Sequence, residues 1–438
     1  MPDIQTETLA LDKIVGGGQT LGTLADGKKA FVWGGLPGEE VEIAVTKKKS
    51  SFIEGVMTKV LKPSSDRLEP LDHATYLSTS PWQIMQFEAE QHYKAALIEE
   101  AFELHHVQLP NAITVYSDGK TANYRNKVEF SWFGDEDENG NETLDLSFFK
   151  RGSKGKTSVT SCSLLPDLMM EVALSVRDAL HSQGISARSL KTLLIRCNQA
   201  GQCIWQLYVK DNELNWKTIT DNFALSESIL GFEIIFSDPR SPASRITERL
   251  IAVGETSLED NVLGTRFKYA VEGFFQVNIP VYEQALRDMK AWVPENKKSV
   301  DMYSGVGSIG LTIGGEQCTL VEIDEHAVRE MRQNIEILDS SAIAVHAASE
   351  KALEYITGDA TIILDPPRAG LHPHIIEQLL EAKPERIVYL SCNPVTQARD
   401  VSLLQEQYKI IHHQGYNFFP RTPHIEHLVV LDLAKQNI

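Results

Sequence analysis

From about residue 299 onward the chain alternates short apolar runs with helical stretches, and this alternation constrains the fold more than any other feature. Ser299–Tyr303, Thr319–Ile323, Ala342–His346, Thr361–Leu364, Arg386–Leu390, Lys409–His413 and Leu428–Leu433 read as strands, with helical segments between the first six. Such alternation predicts an α/β domain built on a doubly wound sheet. Ligands of these sheets bind at the carboxyl ends of the strands. The chemistry of this chain is therefore sought where those strands end.

The first strand runs into Asp301-Met302-Tyr303-Ser304-Gly305-Val306-Gly307-Ser308-Ile309-Gly310, a glycine-rich turn that lets backbone approach a ligand closely. The second strand ends in Val321-Glu322-Ile323-Asp324, which places Glu322 to accept hydrogen bonds from ribose hydroxyls. Gly305, Gly307 and Gly310 also fit G-x-G-x-x-G, so a dinucleotide site and a purely structural turn both stay open. Asp301, directly before the turn, suits a sulfonium cofactor better than a pyrophosphate.

The fourth strand runs into Leu364-Asp365-Pro366-Pro367-Arg368, a rigid acidic lip suited to orienting a polar planar group. A strand terminator is the plainer reading. The fifth ends in Ser391-Cys392-Asn393-Pro394, where helix onset after Pro394 is expected to favour thiolate. A cysteine there is more often a packed core residue, but Cys392 lies one strand from Asp365 on the same edge. Near the end, Pro423-His424-Ile425-Glu426-His427 offers Glu426 as a general base, against a surface or capping role. His424 and His427 find no partner motif with metal-ligand spacing, so no metal is expected.

At 438 residues the chain is too long for one ordinary core, and two or three domains are expected. Residues 1–62 show short alternating segments between glycine-rich turns, which predicts a small β-barrel. Residues 63–82 read as a polar linker. Residues 83–105 carry helical apolar spacing at Ile84, Phe87, Ala96, Leu97 and Phe102, within a segment, 83–120, expected to pack on the last domain. Residues 121–268 read as a central α+β domain, with strands at Val128–Trp132, Leu144–Phe149, Leu193–Arg196 and Ile204–Val209 and an acidic turn from Asp135 to Asn141. Residues 269–438 form the last domain.

The net charge of −18 argues against a nucleic-acid partner when taken alone. Local basic runs temper it: Lys47-Lys48-Lys49, then Arg125 and Lys127, then Lys150 and Arg151 with Lys154 and Lys156 beside Phe148-Phe149. Each also fits a merely solvated surface. The cysteines, Cys162, Cys197, Cys203, Cys318 and Cys392, are scattered and odd in number, which argues for unpaired thiols in a reducing cytosol. No apolar run reaches bilayer length, and Met1 to Gln5 lack the basic and apolar regions of a secretory signal.

Taken in order, Gly273-Phe274-Phe275-Gln276-Val277-Asn278, the Asp-x-Tyr-x-Gly-x-Gly turn, Asp365-Pro366-Pro367-Arg368, Ser391-Cys392-Asn393-Pro394 and His424-Ile425-Glu426 resemble the S-adenosylmethionine-dependent RNA 5-methyluridine methyltransferases over nearly the whole length. The resemblance implies a TRAM-like (OB-like) RNA-binding barrel and a Rossmann-like class I methyltransferase domain. It implies that Gln276, Tyr303, Gly305, Gly307, Ser308, Glu322 and Asp365 contact S-adenosylmethionine or position the base. Cys392 would be the nucleophile and Glu426 the base. Tyr124-Arg125-Asn126-Lys127 matches a segment facing RNA, and Phe275 would hold the flipped base. A cytoplasmic monomer acting on RNA, ribosomal RNA favoured over transfer RNA, is expected, with no membrane partner. A cytosine-C5 methyltransferase, an NAD-dependent oxidoreductase and a non-catalytic RNA-binding factor are the competing readings. Two departures stand out. Ala348 occupies the place of an acidic or amide residue after the third strand, leaving the adenine contact missing or supplied by Ser349. Relatives with the barrel often carry an iron–sulfur cluster on four cysteines, three of them in the linker. Here 63–83 has none and only Cys162 resembles the fourth ligand, so no cluster is expected.

Overall fold

The computed structural model describes residues 5–136, 142–221 and 223–434; most of the acidic turn ending at Asn141 lies outside the described residues. Strand alternation builds the N-terminal part. β1 (Thr6–Ile14), β2 (Thr20–Thr23), β3 (Lys29–Trp33), β4 (Glu40–Lys48) and β5 (Phe52–Lys62) close into a barrel in the order β1-β2-β3-β5-β4. Leu9, Leu11, Val32, Val41, Ile43 and Ile53 fill its interior, and closure leaves no unpaired edge.

The linker is ordered by polar contacts. Arg67 forks onto the fully buried Glu39 of the barrel at 2.5 and 2.7 Å and also donates to the Gly34 carbonyl. After the short α1 (Tyr76–Thr79), Trp82 is buried and donates to the Gly18 carbonyl at 3.1 Å. Gly18 itself lies against Pro423, so the barrel's first turn rests on the loop that leads to Glu426.

α2 (Phe87–Leu104) starts later than the apolar spacing predicts, because Ile84 belongs to the bend before it and packs with Ile14, Leu36 and Trp82. The helix buries Ile98, Ala101 and Phe102 in the core of the last domain, and β6 (Val115–Tyr116) then joins the edge of that domain's sheet. Its buried face also holds charge. Lys94 donates to Asn417 Oδ1 at 2.5 Å and to the Phe419 carbonyl at 3.1 Å, and lies 3.1 Å from Glu90. Glu90 in turn accepts from Asn417 Nδ2 and from the Arg421 amide. This cluster fixes the loop before Glu426. Lys94→Met leaves the buried Glu90 with only the Arg421 guanidinium, 3.7 Å away, which costs up to about 3–5 kcal/mol. Calorimetry should show a clear fall in Tm, larger than for the double variant Lys94→Met/Glu90→Gln. An unchanged Tm would show that the cluster contributes nothing.

The central part comprises β7 (Lys127–Phe133), β8 (Asp145–Phe149), β9 (Lys156–Ser158), α3 (Asp167–Ser182), β10 (Leu190–Cys197), β11 (Cys203–Val209), α4 (Trp216–Thr220), β12 (Ile229–Phe236) and β13 (Glu248–Gly254). The sheet order is β13-β12-β11-β10-β7-β8-β9, and α3 buries Met169, Ala173, Val176 and Leu180 against one face. Cys197 and Cys203 are not the unpaired strand residues the sequence suggests. They face each other in register across the β10–β11 hairpin, Cα atoms 4.1 Å apart, and form a disulfide. Opposed positions of an antiparallel pair bring side chains together, which scattered spacing alone does not reveal. The following hairpin, β14 (Ser257–Val262) with β15 (Thr265–Ala270), buries Leu258, Phe267 and Tyr269 in the core of the last domain.

That domain contains α5 (Ile279–Lys290), β16 (Lys298–Met302), α6 (Gly310–Ile313), β17 (Cys318–Glu322), α7 (Glu325–Ile337), β18 (Ile343–His346), β19 (Ala360–Leu364), α8 (Pro373–Ala382), β20 (Arg386–Ser391), α9 (Pro394–Leu404), β21 (Tyr408–Tyr416) and β22 (Glu426–Leu433). The order is β18-β17-β16-β19-β20-β22-β21-β6. β16 to β20 run parallel, while β22 is antiparallel to both neighbours. Strand order reverses between β16 and β19, and the ligand crevice of a doubly wound sheet opens at such a switch point.

Candidate active site

The turn after β16 is shaped for a ligand. Tyr303 adopts φ 68°, a left-handed conformation that strains a residue with a side chain. Gly305 follows at φ 56°, and a Cβ there would meet nothing within 4 Å, so open space lies over the turn. At Gly310 a Cβ would sit 2.2 Å from Leu320, so this position tolerates only glycine. Glu322 clamps the turn: one oxygen accepts from the Gly305 amide at 2.9 Å, the other from the Ile323 and Asp324 amides at 2.8 Å. Carboxylate oxygens carry two lone pairs each, which leaves capacity for ribose hydroxyls. Beside it Ile323 is 64% exposed, an apolar shelf that sequence reasoning missed. An exposed isoleucine directly after the acidic strand end was the available signal.

Three details differ from the sequence reading. Asp301 does not present charge to the crevice: it is fully buried, accepts from the Gly310 amide at 2.9 Å, and burial pushes it up to about 8. Ser349 is buried against the Tyr303 phenol rather than open to an adenine. Ser308 exchanges a 2.8 Å hydrogen bond with the buried Tyr282.

Asp365, Cys392 and Glu426 come together at neighbouring strand ends. Asp365 follows β19 and Cys392 follows β20. Antiparallel pairing of Ser391 with His427 then sets Cys392 beside Glu426, the first residue of β22. Asn393 caps α9 and donates to the Arg368 carbonyl at 2.8 Å, tying the cysteine loop to the Asp-Pro-Pro-Arg loop.

The three groups sense one another. Burial, then Glu426 and Asp365, push the Cys392 thiol up to about 11, with Arg368 opposing. The helix onset expected to favour thiolate is thus outweighed, because two carboxyls and a half-buried position act against the anion. Burial lifts Asp365 to about 7. Burial and then Asp365 hold Glu426 well above the usual carboxylate range. Nearby, burial and the positive charges of Arg368, Lys94, Arg151 and Arg125 drive His424 down to about 4.

A cleft of about 510 Å³ is lined by Arg125, Lys127, Phe274, Gln276 and Phe419 among others, and does not itself include Asp365, Cys392 or Glu426. Lys127 donates to the Glu272 carbonyl at 3.1 Å and Arg125 to the Lys127 carbonyl at 3.0 Å, so both are partly held by backbone. Phe275 does not face a base: it is 3% exposed and stacks on Tyr269 at 4.1 Å. Its neighbour Phe274 is 73% exposed and is the open ring among the four phenylalanines that line the cleft, Phe148, Phe274, Phe275 and Phe419. Lys150 is exposed, but Arg151 stacks on Trp33 at 4.1 Å and donates to the Leu77 carbonyl, joining central part, barrel and linker. Lys47 pairs with Glu54 at 2.5 Å.

Where cluster cysteines would stand, the linker is bound by hydrogen bonds. The Asp72 carboxylate accepts from the Ser163 hydroxyl and the Gln83 amide, both at 2.7 Å, and from the Ser163 backbone amide at 2.9 Å. Gln83 also donates to Ser80 and Ser163. Among the described residues no group of three or more His, Cys, Asp or Glu side chains is placed to hold a metal ion.

Residues 86–434 match the family described as tRNA (Uracil-5-)-methyltransferase. The chain belongs to this family. It is an S-adenosylmethionine-dependent methyltransferase of the RNA uracil-5 class. An uncharacterized RNA methyltransferase of Bacteroides thetaiotaomicron is 27% identical, covering 91% of this chain and 95% of the relative. Another, from Nitratidesulfovibrio vulgaris, is 26% identical over 97% of this chain and 96% of its own. The crystal structure of Pyrococcus abyssi tRNA (uracil-54, C5)-methyltransferase in complex with S-adenosyl-L-homocysteine superposes with a TM-score of 0.77 at 22% identity, over 97% of this chain and all of that one. The α/β fold with its N-terminal barrel is shared with it. The dinucleotide reading of the glycine turn falls with this assignment.

The turn fits the cofactor this family uses: open space over Gly305, spare acceptor capacity on Glu322 and the exposed Ile323 make a cradle for a nucleoside. No helix among the described residues is long and apolar enough to cross a membrane.

Proposed function

We propose that this chain methylates C5 of a uridine in RNA through a covalent bond between Cys392 and C6. The supporting observation is the convergence of Cys392, Asp365 and Glu426 at three adjacent strand ends beside the glycine turn. S-adenosylmethionine, held by the Gly305 turn and Glu322, supplies an electrophilic methyl group. Uracil C5 is a weak nucleophile. Addition of the Cys392 thiolate to C6 makes C5 enolate-like. Glu426 and Asp365 both sit above the ordinary carboxylate range, so a proton is available to hydrogen-bond a uracil carbonyl as charge develops. Once ionised, Glu426 takes the proton from C5, the bond to Cys392 breaks, and the ring regains aromaticity.

Arg125, Lys127, Lys150 and the barrel, read as TRAM-like, form the RNA-facing side in this account, with Phe274 in the place first given to Phe275. The enzyme is assigned to the cytoplasm. The ribosomal preference drawn from the resemblance finds no support in the family description or in the Pyrococcus relative, both of which name tRNA. Transfer and ribosomal transcripts should therefore be assayed side by side with labelled cofactor. 5-Methyluridine is expected in one of them at one position. Methylation of cytidine instead would overturn the proposal. The same preparation, purified without oxygen, should carry no stoichiometric iron or labile sulfide.

A further inference from the structure

The central sheet carries a groove that the catalytic account does not use. About 420 Å³ in volume, it is lined by Lys156, Lys191, Lys210, Ser131, Ser147 and Phe149 among others. It shares Glu129 and Phe148 with the cleft beside Gln276. At its far side it shares Lys156 and Lys210 with a second hollow, lined by Trp132, Lys154 and Arg188. The three share walls along one track; the hollow at its far end also carries Asp135, Glu136 and Glu142, so the cationic stretch is the groove itself.

The groove itself is suited to phosphates, with three lysines and one carboxylate in its lining. Lys156 and Lys191 both sense the charge of Lys210, and no carboxylate bridges any of the three among the described residues. Lys156 spends one N–H on the Trp132 carbonyl at 2.7 Å, which leaves two. Lys191 is fully engaged by Ser237, Asp238 and Ser241, so it contributes its field rather than a donor. Lys210 has no hydrogen-bond partner among the described residues. Glu129 is the one carboxylate lining the groove. Two buried polar atoms along the track also lack partners: Ser147 Oγ, fully buried in the groove wall, and Trp132 Nε1 in the second hollow. Phe149 is 63% exposed, with Lys156 5.1 Å from its ring centre. An exposed ring beside unpaired lysines is the combination that holds single-stranded nucleic acid, by stacking and by charge. Within the groove, three lysines against Glu129 alone favour a polyanion over a neutral ligand, and the aromatic ring favours RNA over an acidic peptide.

We propose that this groove binds the RNA strand flanking the target uridine, with phosphates on Lys156 and Lys210 and a base on Phe149. The inference rests on RNA being the substrate, and it places the flanking strand over the central sheet.

The test uses the full chain and two RNAs carrying the same target uridine, one minimal and one extended by about ten nucleotides, within the range such grooves hold. For Lys210→Glu and for Phe149→Ala, KM for the extended RNA should rise about tenfold, and Lys210→Glu should flatten the salt dependence of its binding by about one phosphate contact. kcat and KM for the minimal RNA should not change, and Lys210→Arg should restore the extended substrate. A 4-thiouridine in the extension should crosslink to the peptide containing Phe149. Equal KM for the extended RNA in wild type and both variants would overturn the groove while leaving uridine methylation intact. If wild type methylates neither RNA, the functional reading fails, and fluorescence anisotropy of the extended RNA still judges the groove: undiminished binding by Lys210→Glu overturns it.

Discussion

Cys392→Ala is expected to lower methyl transfer by on the order of 10⁴-fold or more, at least about 5 kcal/mol of transition-state stabilisation. The reason is chemical. Without a sulfur bonded to C6, C5 has no enolate character and no route to the methyl group. Binding of S-adenosylhomocysteine, measured by calorimetry, should be nearly unchanged, because the proposed cradle, the Gly305 turn after β16 and Glu322 at the end of β17, lies two and three strands from β20. The thiol also makes a pH prediction. Its pKa is raised to about 11 by burial and by Glu426 and Asp365, so the resting site holds thiol rather than thiolate. Below that value the thiolate fraction grows about tenfold per pH unit, and iodoacetamide labelling of the Cys392 peptide should rise about a hundredfold from pH 7 to pH 9. Cys162 and Cys318 are buried and should label far more slowly. Flat labelling between those pH values would show that the thiol is already ionised.

Glu426→Gln should separate bond formation from release. In the proposed reaction, addition to C6 and methylation need Cys392 and the cofactor, whereas breaking the covalent bond needs a base at C5. The amide can hydrogen-bond but cannot take a proton. Turnover should therefore fall by about 10²–10⁴-fold, the usual worth of a positioned base. A methylated protein–RNA species that survives denaturation should accumulate on natural substrate. Sign follows from the raised pKa of Glu426: the carboxylate fraction, and with it the wild-type release rate, grows as pH rises through that pKa. Release by the glutamine variant should lack this dependence. Fast turnover with no trapped species would mean that water or another group removes the proton.

All seven strands read from the sequence recur in β16 to β22; β16, β17, β19 and β20 were readable because parallel strands buried on both faces are written as continuous apolar runs. Their motifs fell at strand ends for the same reason. Side-chain exposure was not readable: Phe274 and Phe275 are equivalent in sequence, and only the packing of Phe275 on Tyr269 shows which ring is buried and which is open. Buried charge was missed as well. Glu90 and Lys94 break the apolar stripe of α2; periodicity placed the helix four residues early and gave no hint that its buried face carries the charges that anchor the 417–421 loop. Asp301 and Asp365 read as plain acids, because burial, which controls their protonation, depends on the whole fold. Pairing of Cys197 with Cys203 likewise required the register of β10 and β11.

The account stands most directly on one bond. RNA carrying 5-fluorouridine at the target position cannot lose fluorine as a proton, so the wild-type enzyme with S-adenosylmethionine should stop at the covalent stage. Digestion and tandem mass spectrometry of that complex should find a methylated fluorouridine on the peptide containing Ser391-Cys392-Asn393, attached through sulfur. A stable adduct on any other residue, or no adduct from an enzyme that methylates ordinary uridine, would contradict it.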